Sequence, residues 1–148
     1  MLLAWGIMLL FTTTSCRDFQ DERTPCKSFV EVAFKPKDKH TRLHIIAITE
    51  QASNRKWWFR EQSSYNLPLN PEADSTTFVI ESTAPTSPHT LTITYQRKVS
   101  LISHQRGAQL EFVLDQVKVG PNAAKDVKLF NKRLSTFNTI RPDVQIPL

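Results

Sequence analysis

Few residues in this chain stand close enough in sequence to share chemistry. The most suggestive group is Lys56-Trp57-Trp58-Phe59-Arg60, preceded by Asn54 and Arg55. On an extended strand, consecutive side chains point to opposite faces, so one indole enters a core while the other stays at the surface or under a loop. An exposed indole flanked by Arg55, Lys56 and Arg60 can stack on a sugar ring or a base. The plainer alternative is one core aromatic and one packed against a neighbouring loop. Trp57, Trp58 and Arg60 are therefore the candidate contact residues for a ligand or partner.

The other groups fail on spacing. His40 and His44 would share a face of a helix, but they straddle a turn and a strand start, and His89 and His104 have no companion motif. Asn70, Glu72, Asp74 and Glu81 align with positions of a calcium loop, yet Ser75 stands where the central glycine is required and strand-like residues replace the flanking helices. Glu111 and Asp115 fall on the polar side of a strand, about 13 Å apart by strand rise, too far to work as an acid and base pair. No GxSxG, CxxC, HExxH, P-loop or GxGxxG occurs. The residues assign no catalytic group, metal or cofactor, and a non-enzymatic protein is expected.

Any such contact site needs a scaffold, and the scaffold is legible in Thr90–Leu101. Leu91, Ile93, Tyr95, Val99 and Leu101 share one parity, against Thr90, Thr92, Thr94, Gln96, Lys98 and Ser100 on the other. At about 3.3 Å per residue this is a strand of about 40 Å with one buried face. Arg97 breaks the apolar parity, so it sits at a bend or edge or snorkels outward. Gln109–Val117 alternates again, with Leu110, Phe112 and Leu114 on the buried parity, and the turn His104–Ala108 joins the two runs as a hairpin. Further strands are expected at Phe29–Phe34, at Leu43–Thr49 (apolar on both parities, hence covered on both faces), around Trp57–Trp58, at Tyr65–Leu69, Thr76–Ser82, Val127–Phe130 and Val144–Ile146. Asn70–Ser75 and Gly120-Pro121-Asn122 are turns. About seven or eight short strands at this spacing indicate an all-β fold, an antiparallel β-sandwich of immunoglobulin-like or Greek-key type.

At 148 residues the chain is one domain by size, and 3 Gly against 9 Pro with abundant Val, Ile, Thr and Phe favour strands. The net charge of +5 and pI near 9.4 suit an acidic partner, but the basic residues are dispersed without a run of five, as on a solvated surface. Met1–Phe11 is apolar, uncharged and too short to span a bilayer, which fits the core of an export signal. The Thr12–Cys16 sequence TTTSC resembles the lipobox of bacterial lipoproteins, in which the cysteine becomes the first mature residue and carries acyl chains. An ordinary secretory signal cut nearby and a retained anchor are the alternatives. On the lipobox reading, residues 1–15 are the signal peptide, Cys16 is lipidated, 16–27 form a polar tether and 28–148 the sandwich. The membrane is then reached through the lipid, and several acyl chains suffice for permanent attachment. Nucleic acid is a poor partner for an exported chain; an envelope protein or glycan fits better, and the chain is expected to be a binding or assembly module of the cell envelope or, alternatively, a purely structural or regulatory subunit of an envelope complex.

The stretches YNLPLN from Tyr65, DSTTFVI from Asp74, TLTITYQR from Thr90, VSLIS from Val99 and LEFVLDQV from Leu110 resemble a family of uncharacterised Bacteroidetes lipoproteins. That resemblance, over about Tyr65 to Val117, implies an outer-membrane lipoprotein facing the periplasm or the cell surface. It brings no assigned activity. Members carry CGF after the long strand where this chain has Arg106-Gly107-Ala108, so the cysteine able to bridge Cys26 is missing.

Overall fold

A computed structural model describes residues 27–84, 87–103, 107–121, 126–134 and 141–148. The expectations placed on the signal peptide, Cys16, Cys26 and most of the tether lie outside these residues, as do the side chain of Leu101 and the tip of the hairpin turn. Nine strands occur among the described residues. They are β1 (Phe29–Lys35), β2 (Ile45–Glu50), β3 (Lys56–Trp58), β4 (Tyr65–Pro68), β5 (Ser75–Ser82), β6 (His89–Ser103), β7 (Gly107–Gly120), β8 (Lys128–Leu129) and β9 (Val144–Pro147). They form a four-stranded sheet in the order β4-β1-β9-β8 and a five-stranded sheet in the order β3-β2-β5-β6-β7. Val30, Val32, Leu67, Val144 and Ile146 of the first meet Ile48, Phe78, Ile80, Leu91, Ile93 and Leu114 of the second in one apolar cluster. The protein is an all-β sandwich.

The expected alternation of β6 is realised where the strand has neighbours on both sides. Leu91, Ile93 and Tyr95 are buried, and Thr90, Thr92 and Thr94 lie on the outer face. Between Thr94 and Tyr95 the pairing with β7 shifts by one, from Thr94–Gln116 to Tyr95–Leu114, which leaves Asp115 as a bulge. The extra residue lets Leu114 and Val117, three apart in sequence, turn to the same side. Arg97 reaches out of the sheet to the turn before β5, donating to Asp74 Oδ1 at 2.8 and 3.2 Å and to the Pro71 carbonyl at 2.8 Å.

Four expectations need correction. The sandwich is not wholly antiparallel, because β1 and β9 pair in parallel from Val32–Val144 to Lys35–Pro147. Parallel neighbours need a long crossover, and here the entire five-stranded sheet separates them in sequence. Second, β2 is not covered on both faces. Its pairing with β5 slips between Ile45 and Ala47, and Ile46 is left 43% exposed. Third, Val99 is 75% exposed, since β5 accompanies β6 only from His89 to Thr94 and β6 then continues with β7 as its sole partner. Fourth, Lys27 does not belong to a solvated tether: its side chain is 3% exposed.

Two polar networks fasten the sandwich. In the first, the Asn70 N–H donates to Thr76 Oγ1 at 3.1 Å and the Tyr95 hydroxyl donates to the Asn70 carbonyl at 2.8 Å. Thr76 Oγ1 and Tyr95 Oη are 2.8 Å apart, so with Tyr95 already donating to Asn70, the threonine is the donor and the ring of three bonds closes. Burial pushes the Tyr95 hydroxyl above its usual pKa, which keeps this donor protonated. In the second, Asp143 Oδ2 accepts from Lys27 Nζ at 2.5 Å and from the Glu31 N–H at 2.8 Å, while Oδ1 accepts from Asn131 Nδ2 at 3.1 Å. This carboxylate, only 1% exposed, ties the start of the domain to its final strand.

Removing one partner of a buried ion pair strands the other charge, so Lys27→Ala should lower stability by about 3–5 kcal/mol, whereas Lys27→Met with Asp143→Asn should recover part of that loss. Urea denaturation of the three proteins checks this. Burial, and then the positive charge of Lys37, lowers the pKa of His89 below that of an ordinary imidazole. The unfolded chain therefore binds a proton first as pH falls, and the stability contributed by neutral His89 is lost below about pH 6.5. The urea midpoint should fall between pH 7.5 and 5.5 in the parent, and fall less in His89→Gln.

Candidate functional site

A tight hairpin sets up the aromatic cluster. The Glu50 N–H donates to the Arg55 carbonyl at 2.8 Å, closing the loop Gln51–Arg55, and Ser53 Oγ donates to Glu50 Oε2 at 2.5 Å. Asn54 takes the left-handed conformation, φ 54°, a region asparagine tolerates better than most side chains. The return strand β3 then pairs Trp57 with Ile48 and Trp58 with Ala47.

This register separates the two indoles. Trp57 and Phe59 are half-buried and pack on the core, and the Phe59 ring meets Tyr65 edge-on at 4.9 Å between centroids. Trp58 is 69% exposed, and Lys56 and Arg60 are exposed with it. The Lys56 ammonium lies 4.3 Å over the Trp58 ring and 2.7 Å from Glu81 Oε1. Glu81 belongs to β5 and Lys56 to β3, so the ion pair passes across the intervening β2, where both Trp58 and Glu81 register with fully buried Ala47. A small side chain at 47 leaves room for the bridge. Each contact is modest, about 0.5–1 kcal/mol for the cation over the ring and no more for the exposed ion pair. Together they hold the lysine on one side of the ring and leave most of the indole to solvent.

β3 is the end strand of its sheet, and among the described residues nothing pairs with its outer side. This three-residue edge carries an exposed indole with Lys56 over its ring and exposed Arg60 two residues on. Trp57, Trp58 and Arg60 are thus neighbours, but only Trp58 and Arg60 present themselves outward; Trp57 belongs to the core.

The remaining groups singled out by sequence do not converge. Asp74 is held by Arg97, Glu81 by Lys56, and Asn70 Oδ1 accepts the Glu72 N–H at 2.8 Å within its own turn. The backbone N–H of His40 donates to Asp38, and that of His44 to Thr83. Among the described residues no three His, Cys, Asp or Glu side chains gather as a metal site. Glu111 does not lie on a solvated polar face. Its side chain is 3% exposed beneath Arg133, whose guanidinium donates to both its carboxylate oxygens at 2.8 and 3.2 Å. Arg133 joins the sheet by a bridge to Val113, in a stretch without sequence periodicity, so no local signal announced the pairing.

Fold and surface together define a small β-sandwich domain with an aromatic, basic sheet edge. The chain belongs to a family of unknown function, DUF6452, whose model matches residues 42–146, from just before β2 into β9. Neither a curated protein nor a solved structure matches it.

Proposed function

We propose that this protein is a non-catalytic binding module of a bacterial cell envelope, an outer-membrane lipoprotein of Bacteroidetes type anchored by acyl chains on Cys16. Its β3 edge holds an envelope protein, with Trp58 as the anchor and Arg60 beside it. The observation that carries the reading is the 69% exposure of Trp58 on a strand with an unpaired side. Natural sheets blunt their edges with charge or cover them, because unpaired backbone groups recruit further strands. A large indole at such an edge adds the kind of residue that dominates binding energy once desolvated by a partner. Strand addition then supplies affinity through main-chain bonds and specificity through the indole. Stacking of a glycan on Trp58 is the second reading, favoured by the ring's largely uncovered surface.

The TTTSC sequence supports the anchor, and the composition of the stretch after Cys16 suits a spacer between membrane and domain. Mass spectrometry of the mature N-terminus should find a lipid-modified Cys16, and Cys16→Ala should release the protein into the soluble fraction; an unmodified terminus at another residue refutes the anchor. For the edge, Trp58→Ala should stay within about 0.5 kcal/mol of the parent stability, whereas Trp57→Ala should lose about 2–3 kcal/mol, short of the 3–5 of a fully buried indole. A photoreactive residue at position 58 should cross-link in cells to a defined envelope protein, and one at exposed Thr90, on the outer face away from β3, should not. Cross-linking at neither position, or equally at both, refutes the edge as an interface.

A further inference from the structure

A second surface, on the other sheet, has the chemistry of a ligand site. A groove of about 670 Å³ lies over the outer side of the four-stranded sheet. Its floor is Ala33, 5% exposed, which registers in parallel with Gln145 of β9. Glu31 and Lys35 precede and follow Ala33 by two residues, so all three share a face of β1, and the small middle side chain makes the depression. Phe130, 39% exposed, and Arg141 line the groove as well, with the guanidinium carbon 5.6 Å above the ring.

The charges in this groove are not internally satisfied. Among the described residues, neither Lys35 nor Arg141 forms an ion pair. Glu31 is oriented by the Ser64 hydroxyl, which donates to its Oε1 at 2.6 Å. The groove therefore combines two available cations, one fixed carboxylate, an amide and a partly open aromatic ring.

From this combination we infer that the groove binds an acidic saccharide, one bearing uronic-acid carboxylates. Arg141 offers a planar fork to a carboxylate, and Phe130 offers an apolar platform to the C–H face of a sugar ring. Glu31 and Gln145 accept and donate to ring hydroxyls. The fixed Glu31 carboxylate needs a hydroxyl donor, which a saccharide supplies from several ring positions and a phosphate-rich ligand does not. On the floor of the groove a peptide strand has no edge to join, since β1 is paired on one side with β4 and on the other with β9. A neutral glycan leaves both cations unused. The size lies within the range of small-ligand sites. This inference is independent of the Trp58 edge, which belongs to the other sheet.

Calorimetric titration of the whole protein with trigalacturonate tests it, with its methyl ester, triglutamate and inorganic phosphate as comparisons. Saturable binding of trigalacturonate is expected, at least about tenfold tighter than any of the three comparisons. Arg141→Gln should remove that preference over the methyl ester, Phe130→Ala should weaken both sugars, and Trp58→Ala should change neither. Arg141 is exposed, and an unchanged urea midpoint will show that its variant is folded. The proposal is overturned by no binding, by triglutamate or phosphate binding as tightly, by Arg141→Gln leaving the preference intact, or by Trp58→Ala abolishing the signal.

Discussion

One parity of β6 has to stay covered, and much of the remaining chain is arranged around that demand. A slip of one residue would turn Leu91, Ile93 and Tyr95 outward and bring the threonines into the apolar cluster, so register carries the hydrophobic driving force of the whole sheet. Two devices hold it. The bulge at Asp115 resets β7, so that Leu114 opposite Tyr95 and Val117 opposite Ile93 both face inward. The ring of hydrogen bonds through Asn70, Thr76 and Tyr95 fixes the turn before β5 to the middle of β6. Where β5 ends, the demand ends as well, which is why Val99 continues the apolar alternation in sequence yet stands in solvent.

Local pattern made the strands legible because a half-buried strand writes its two faces directly into alternate residues. The positions of β1, β4, β5, β6 and β9 follow from that pattern, and so does the opposite facing of Trp57 and Trp58. What alternation cannot report is how far a neighbour accompanies a strand, or which distant segment lies beside it. The exposure of Val99 and Ile46 depends on the extent and slippage of pairing. The parallel pairing of β1 with β9 joins the two ends of the domain. Glu111 read as a surface carboxylate because its partner Arg133 lies 22 residues away in a stretch without period.

Lys27 and Asp143 are the clearest case of this limit. They are 116 residues apart, and Lys27 sits in a run whose polar composition reads as a spacer. Burying both charges carries a desolvation penalty of several kcal/mol per ion, which their attraction and the extra bonds from Glu31 and Asn131 must offset. An apolar pair in the same place could be as stable. The ionic pair does something different: an unpaired Asp143 is strongly disfavoured in the closed sandwich, so β9 is satisfied beside β1 only when the chain entering the domain is docked. Lys27, which composition assigns to the spacer, is therefore held against the sandwich by a specific contact.

Lys27 also stands differently to the two surfaces. Lys27 leads within two residues into β1, the strand that carries Glu31, Ala33 and Lys35 along the groove, whereas Trp58 lies on the far edge strand of the opposite sheet. The groove thus belongs to the sheet that begins with β1, and the indole to the opposite sheet. The two surfaces share no residue, so if both bind as proposed, occupation of one would leave the residues of the other uncovered. Were the module held in a membrane as proposed, it would raise the effective concentration of whatever its second surface held, without any new contact. In such an arrangement affinity at each site can be weak and attachment still persist, which is compatible with a groove that is shallow and an edge only three residues long.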